Sequence, residues 1–345
     1  MKHLSELVSR RRPSPCLKDL YLTFKFQGPE EITIFDPEAV VAMNGPGSNC
    51  TRADWYDGIA PLKSVANLRS PTVHDQRRRI WDKAFSANAV QDYDSRITKY
   101  AEQLNQIIVA SLGRPVNLYD LFSFYTSDVM SDLSFGKSFG NLLGGKFHDS
   151  VVGVRDFMSV FGTLSPVPWF VRLGNNPLMQ LNGWKDLIEF TKRSLKERMM
   201  AKRLEEDADY LDGDALVLII VGSDSMATTL INLFANLSRY PKYQEHILKV
   251  EIQTLPSILD FPAVLKLPVL KSVIMETLRL WPPVPTRSGR LVPLGRLSIA
   301  GKYIPERTVI FAPRYTIARL ESCFERATEF IPERWTTSPE MVIDK

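Results

Sequence analysis

The stretch Pro268-Val269-Leu270-Lys271-Ser272-Val273-Ile274-Met275-Glu276-Thr277-Leu278-Arg279-Leu280-Trp281-Pro282-Pro283 decides how the rest of the chain is read. Apolar residues at 269, 270, 273 and 274 recur at helical spacing, Pro268 suits a first turn, and the double proline stops the helix. Glu276 and Arg279 stand three apart and share one face. Taken alone, such a pair is usually a solvated contact worth about a few tenths of a kcal/mol.

Further along stands Phe330-Ile331-Pro332-Glu333-Arg334-Trp335. ETLRLWPPVP followed by FIPERW resembles the cytochrome P450 superfamily. The resemblance implies that Glu276, Arg279 and Arg334 form a buried ionic triad, structural rather than catalytic. Three buried charges are tolerable only when they satisfy one another, and arginine supplies the planar two-donor geometry for that.

Working upstream, Ala215 to Leu237 is apolar nearly all round, which predicts a central core helix or a membrane span. Asp224 in its middle disfavours the span, because a mid-bilayer Asp costs about 2.5–3.5 kcal/mol. Val221-Gly222-Ser223-Asp224-Ser225-Met226 resembles the distal-helix pattern of the family. By that resemblance Asp224 and Ser225 are the catalytic pair that relays protons, and the small residue at 222 lets substrate and oxygen approach. Ser225 stands in place of the usual Thr and Met226 in place of a second hydroxyl, and a Ser lacks the β-methyl that restricts a Thr rotamer. The alternative, that Ser225 bonds only a backbone carbonyl, stays open.

Pro71 to Ser86, with its Arg77-Arg78-Arg79 run, resembles the family helix that supplies donors to the haem propionates. His74 and Arg78 are i, i+4 and can address one pair of carboxylates. Arg290 matches a further propionate-facing arginine. Pro29 to Gly58, with IFDPEAV and GPGSNCTRADWYDG, is closest to fungal members.

Composition agrees with a packed enzyme domain. The 345 residues are 44% hydrophobic and 24% charged, which excludes a disordered or fibrous chain. The net charge of +4 is too mild for a nucleic-acid footprint. Cys16, Cys50 and Cys323 have no metal-ligand spacing and read as buried or incidental, so no metal ligand is expected among them. The N-terminal MKHLSELVSRRRPSP lacks an apolar core, so neither a signal peptide nor an anchor is expected and the chain reads as soluble. The full-length family type resides at the endoplasmic reticulum membrane.

The expected fold is mainly α with a small β region, one domain over residues 1–345, the resemblance covering about 28–335. Glu31 to Phe35 is a predicted strand, Asp36-Pro37-Glu38 opens a short helix, Asn44 to Ser48 is a turn, and between Pro282 and Pro313 Pro and Gly separate short runs such as Lys302 to Ile304 and Thr308 to Phe311. The resemblance implies haem b, O2, a small and mostly apolar organic substrate, a flavoprotein NADPH reductase and a monooxygenase reaction. Phe157 to Phe170 is an expected part of the pocket lining.

The family's cysteine loop, roughly FxxGxRxCxG, follows PERW and supplies the thiolate that favours O–O cleavage. Ten residues follow Trp335 and none is Cys. The chain is therefore expected to be incomplete at both ends, with a shortening between Met200 and Asp214. An alternative reading is a catalytically inactive fragment that binds haem weakly or not at all. A basic module using Arg77 to Arg79 on nucleic acid would leave ETLRLWPP, FIPERW and VGSDS unexplained together.

Overall fold

The computed structural model describes residues 24–28, 30–59, 63–111, 113–149, 151–153, 155, 156, 159, 184–200, 208–257, 261–285, 289–295 and 297–343. Cys16, the Pro166 to Pro177 interruption and the Phe157 to Phe170 stretch, except Ser159, lie outside them, as do residues 201–207.

The chain opens with β1 (Phe24–Gly28), β2 (Glu31–Ile34) and α1 (Pro37–Asn44). Asp36 caps α1 by accepting from the Glu38 N–H, and Pro37 occupies the first turn. After β3 (Thr51–Arg52) come α2 (Pro71–Ala84), α3 (Ala87–Ala110), α4 (Leu118–Phe135) and the short α5 (Asn141–Gly144). Gly136 ends α4 at φ 77°, a left-handed conformation that glycine adopts without strain. Then follow α6 (Trp184–Met200), α7 (Ala208–Arg239), α8 (Pro241–His246), α9 (Phe261–Val264) and α10 (Pro268–Leu280). The predicted helix at 215–237 is thus part of α7.

β4 (Arg290–Leu291), β5 (Leu297–Ile299), β6 (Lys302–Ile304), β7 (Val309–Phe311) and α11 (Arg314–Ile317) complete the order. One sheet runs β1-β2-β7-β4-β3, with β2 and β7 parallel and its other pairs antiparallel; β5 and β6 form a separate hairpin. The sheet core gathers Ile34, Ile310, Val292 and Ile299 around Met43 of α1. The architecture is mainly helical with small sheets, as expected from sequence.

By length and apolarity the Tyr210–Arg239 part of α7 could cross a membrane, yet it packs against α4, α6 and α10. At Gly222 a β-carbon would lie 2.4 Å from Met130 Cε of α4. On the side where a β-carbon would project, Gly222 faces the tip of the Met130 side chain.

Two carboxylates from elsewhere hold helix starts. Glu251 accepts from the Val269 and Leu270 N–H groups at 2.6 and 2.9 Å, capping α10, whose own N-cap residue, Leu267, cannot. Asp128 does the same for Asn141 and Leu142 at 3.0 and 2.9 Å.

Candidate functional site

Glu276 on α10 is fully buried and receives five donors. Arg279 binds it through Nε at 2.9 Å and an Nη at 2.8 Å, Arg334 through Nε at 3.1 Å, and the Ile331 N–H and Trp335 indole at 2.9 Å each. Burial alone would push the carboxyl up. The Arg279 hydrogen bonds and charge, with the Ile331 and Trp335 donors, outweigh it and hold Glu276 below the ordinary glutamate range.

The arginines use their remaining donors on backbone. Arg279 reaches the Ala327 and Glu329 carbonyls at 2.6 and 3.0 Å, and Arg334 reaches that of Glu325 at 3.0 Å. The cluster thereby fastens residues 325–335 to the helix that carries Glu276. Glu333 faces the other way and accepts from the Tyr243 hydroxyl at 2.7 Å and the Lys242 ammonium at 3.1 Å.

On α7, Asp224 and Ser225 share a face with Val221 by helical spacing, and Val221 and Asp224 are exposed. Protein around Asp224 still desolvates its carboxyl and raises it above the ordinary range, opposed by the charge of Arg155. Ser225 is half-buried, its carbonyl accepting from the Thr229 hydroxyl at 2.8 Å. An acid and a hydroxyl beside apolar surface can move protons to a molecule lying against this helix.

On α2, His74 bonds Asp75 at 3.0 Å and Arg78 bonds Asp82 at 2.6 Å. The structure sets them on one side of the helix, each held by an acidic residue of the same helix. Arg77, between them in sequence, turns inward to Asp214 of α7. The sequence reading missed that contact. An acidic residue at the apolar part of α7 was its signal, but a run of three arginines does not reveal which one is buried.

Arg290 on β4 stands directly opposite Arg52 on β3. Both guanidiniums lie near the Tyr56 ring, at 5.5 Å for Arg52 and 5.7 Å for Arg290, and Arg290 donates to the Tyr56 hydroxyl at 3.2 Å. Arg52 and Tyr56 were not picked out from sequence; the β3–β4 register brings them to Arg290.

The haem implied by the sequence resemblance carries two propionates, and the donor set can be tested against them. Arg52 Nε is buried without a hydrogen-bond partner, and burial, then the Arg290 charge, lowers the Arg52 pKa. Like charges in cross-strand register destabilise each other unless an anion joins them. This corner fits a carboxylate. The two described cysteines do not resemble an activated thiolate: Cys323 is buried in the sheet core, and burial pushes the Cys50 thiol up despite the Ser48 hydrogen bond.

Comparison with known proteins agrees with the fold and the motifs. The family model described as Cytochrome P450 matches residues 38–213 and 207–342. The cytochrome P450 monooxygenase FCK2 of Fusarium pseudograminearum is 33% identical over 339 residues, covering 92% of this chain and 61% of the relative. The monooxygenase notG' of Aspergillus versicolor is 32% identical, covering 91% of this chain and 62% of the relative. Tryprostatin B 6-hydroxylase of Aspergillus fumigatus is 30% identical, covering 92% and 61%. The chain spans less than two thirds of the length of these relatives, all of them fungal. With its match to the family model across most of its length, the chain belongs to the cytochrome P450 family.

Proposed function

We propose that this chain carries the distal helix, the propionate-binding corner and the proximal ionic cluster of a haem-thiolate monooxygenase that oxidises a small, mostly apolar organic molecule. The observation that carries the reading is the Asp224–Ser225 pair, an acid and a hydroxyl on the same face of α7 as exposed Val221. The similarity to tryprostatin B 6-hydroxylase of Aspergillus fumigatus supports a hydroxylase.

Haem, when bound, supplies the one-electron and dioxygen chemistry that no side chain provides. His74, Arg78 and Arg290, with Arg52 beside it, would hold its propionates, which fixes the ring's orientation. Asp224 takes protons from water and hands them on, with Ser225 orienting the acceptor through its hydroxyl. Val221 offers apolar contact to the substrate. The Glu276 cluster contributes no chemistry; it keeps residues 325–335 fixed. One oxygen atom of O2 enters the substrate and the other leaves as water, with electrons from NADPH through a flavoprotein reductase.

Residence at the endoplasmic reticulum membrane is part of the same proposal and follows the family type. The test is a reduced carbon-monoxide difference spectrum of the natural full-length protein, followed by turnover with reductase, NADPH and O2. A thiolate-type Soret band with NADPH-dependent product formation is expected. Failure to take up haem would overturn the reading.

A further inference from the structure

On the stripe of α2 beside that of His74 and Arg78, Arg77 and Trp81 meet one carboxylate of α7. Asp214 of α7 accepts from an Arg77 Nη at 2.7 Å and from the Trp81 indole N–H at 3.1 Å. It also accepts from the Val65 N–H at 2.7 Å. The Arg77 and Asp214 side chains are each 7% exposed. Two neighbours tighten the joint: the Arg77 guanidinium lies 4.9 Å from the Tyr210 ring centroid, and a β-carbon on Gly213 would fall 2.2 Å from the Lys63 carbonyl oxygen.

Arg77 and Trp81 are i, i+4, as are His74 and Arg78. On a helix of 3.6 residues per turn the two stripes lie about 60° apart. Gripping a helix at two points on one stripe sets its rotation about its own axis. A roll of about 20° would carry a side chain at a radius of ~6 Å through about 2 Å, enough to break a hydrogen bond. The contact therefore decides where the neighbouring stripe points.

We propose that Asp214 is the positioning residue for α2: by holding Arg77 and Trp81 it sets the rotation at which His74 and Arg78 meet the haem propionates. This rests on the haem reading above. Asn would keep acceptors for Trp81 and Val65 but would remove the negative charge that Asp214 sets against Arg77. The proposal therefore concerns the carboxylate and not merely a filled space.

The experiment titrates the full chain with hemin and with hemin dimethyl ester, whose propionates carry no charge, and compares the two Kd values. The wild type is expected to favour hemin by about tenfold or more, and Asp214→Asn to reduce that ratio to about twofold. Tyr243→Phe, destabilising where α8 meets Glu333, is the control and is expected to keep the wild-type ratio. An Asp214→Asn chain that is less stable but keeps the full ratio would overturn the proposal while leaving the haem reading intact. A control that loses the ratio equally would also overturn it. A wild type that does not discriminate between the two porphyrins would overturn both. If Asp214→Asn does not fold, Trp81→Phe carries the test: it removes one donor and keeps a ring, a lowered ratio supports the proposal, and an unchanged ratio overturns it.

Discussion

Arg334 and Glu276 lie 58 residues apart in sequence and meet at 3.1 Å, with both side chains fully buried. One carboxylate between two guanidiniums leaves a net positive charge in the interior, and the carbonyls of residues 325–329 take up the remaining donors. The cluster therefore stabilises a particular path of the chain after residue 318, and not merely the pairing of α10 with its own arginine.

Glu276→Gln leaves two buried guanidiniums facing an amide, and the expected loss is about 3–5 kcal/mol in equilibrium urea unfolding. The pH dependence has a definite sign. The folded-state value of Glu276 is depressed below its ordinary 4.5, so its contribution is fully present above that value and is lost as pH falls through the lowered one. Acid unfolding of the wild type should contain this component and that of the variant should lack it; identical acid limbs would contradict the assignment.

Tyr243 donates to Glu333 and is 7% exposed. Burial, then the hydrogen bond and charge of Glu333, raises its pKa well above the ordinary tyrosine value of 10. A raised folded value stabilises fully below 10 and loses that contribution as pH climbs beyond it. Burial raises Tyr100 and Tyr125 as well, so spectrophotometric titration should show fewer tyrosines ionising in the native than in the unfolded protein at alkaline pH, with the deficit smaller by one in Tyr243→Phe. That variant should lose about 1.5–3 kcal/mol, as for a hydrogen bond to a charged group, whereas Lys242→Ala, at an exposed pair, should change stability by less than about 1 kcal/mol.

Gly222→Ala places a methyl against the Cε end of Met130, a flexible side chain that can swing aside, and should cost no more than about 1 kcal/mol. Truncating the partner removes the clash. In a Met130→Ala background the same substitution should become neutral or stabilise by up to about 1 kcal/mol, because Ala is the better helix former. A double-mutant cycle on thermal unfolding measures the coupling, and additivity would mean that Met130 moves aside without cost.

The parts of the molecule legible from sequence were those governed by local spacing. Period-3.6 apolar positions with Pro268 and Pro282 bounded α10, and Asp36-Pro37 marked the start of α1. Side-chain destinations were less legible. Gly222 reads from sequence as an opening for substrate and oxygen, and no local pattern announces that Met130 lies against it. Arg77, Arg78 and Arg79 are one residue type in a row, and the rotation of α2 decides that Arg77 is buried while Arg78 is exposed. Arg52 became a neighbour of Arg290 through strand register across more than two hundred residues of chain, a relation that no local pattern encodes. Glu251 caps a helix it does not belong to, for the same reason.

Asp224 and Ser225 give the prediction closest to chemistry. Desolvation raises the Asp224 carboxyl, so it holds a proton to higher pH than an exposed aspartate and can give it up to an acceptor at the helix surface. Asp224→Asn should lower turnover about 10²–10⁴-fold, the usual worth of a positioned acid or base, with little change in substrate dissociation constant. The alkaline limb of the pH–rate profile, where the donor loses its proton, should disappear with it. Ser225→Ala should act differently: consumption of NADPH persists, but more of the electrons leave as hydrogen peroxide and fewer as oxidised product. Ser225→Thr, whose β-methyl restricts the hydroxyl, should shift that partition toward product. Product and peroxide measured together per NADPH consumed distinguish proton delivery from simple packing. Unaltered turnover in Asp224→Asn together with unaltered partition in Ser225→Ala would remove the pair from the reaction.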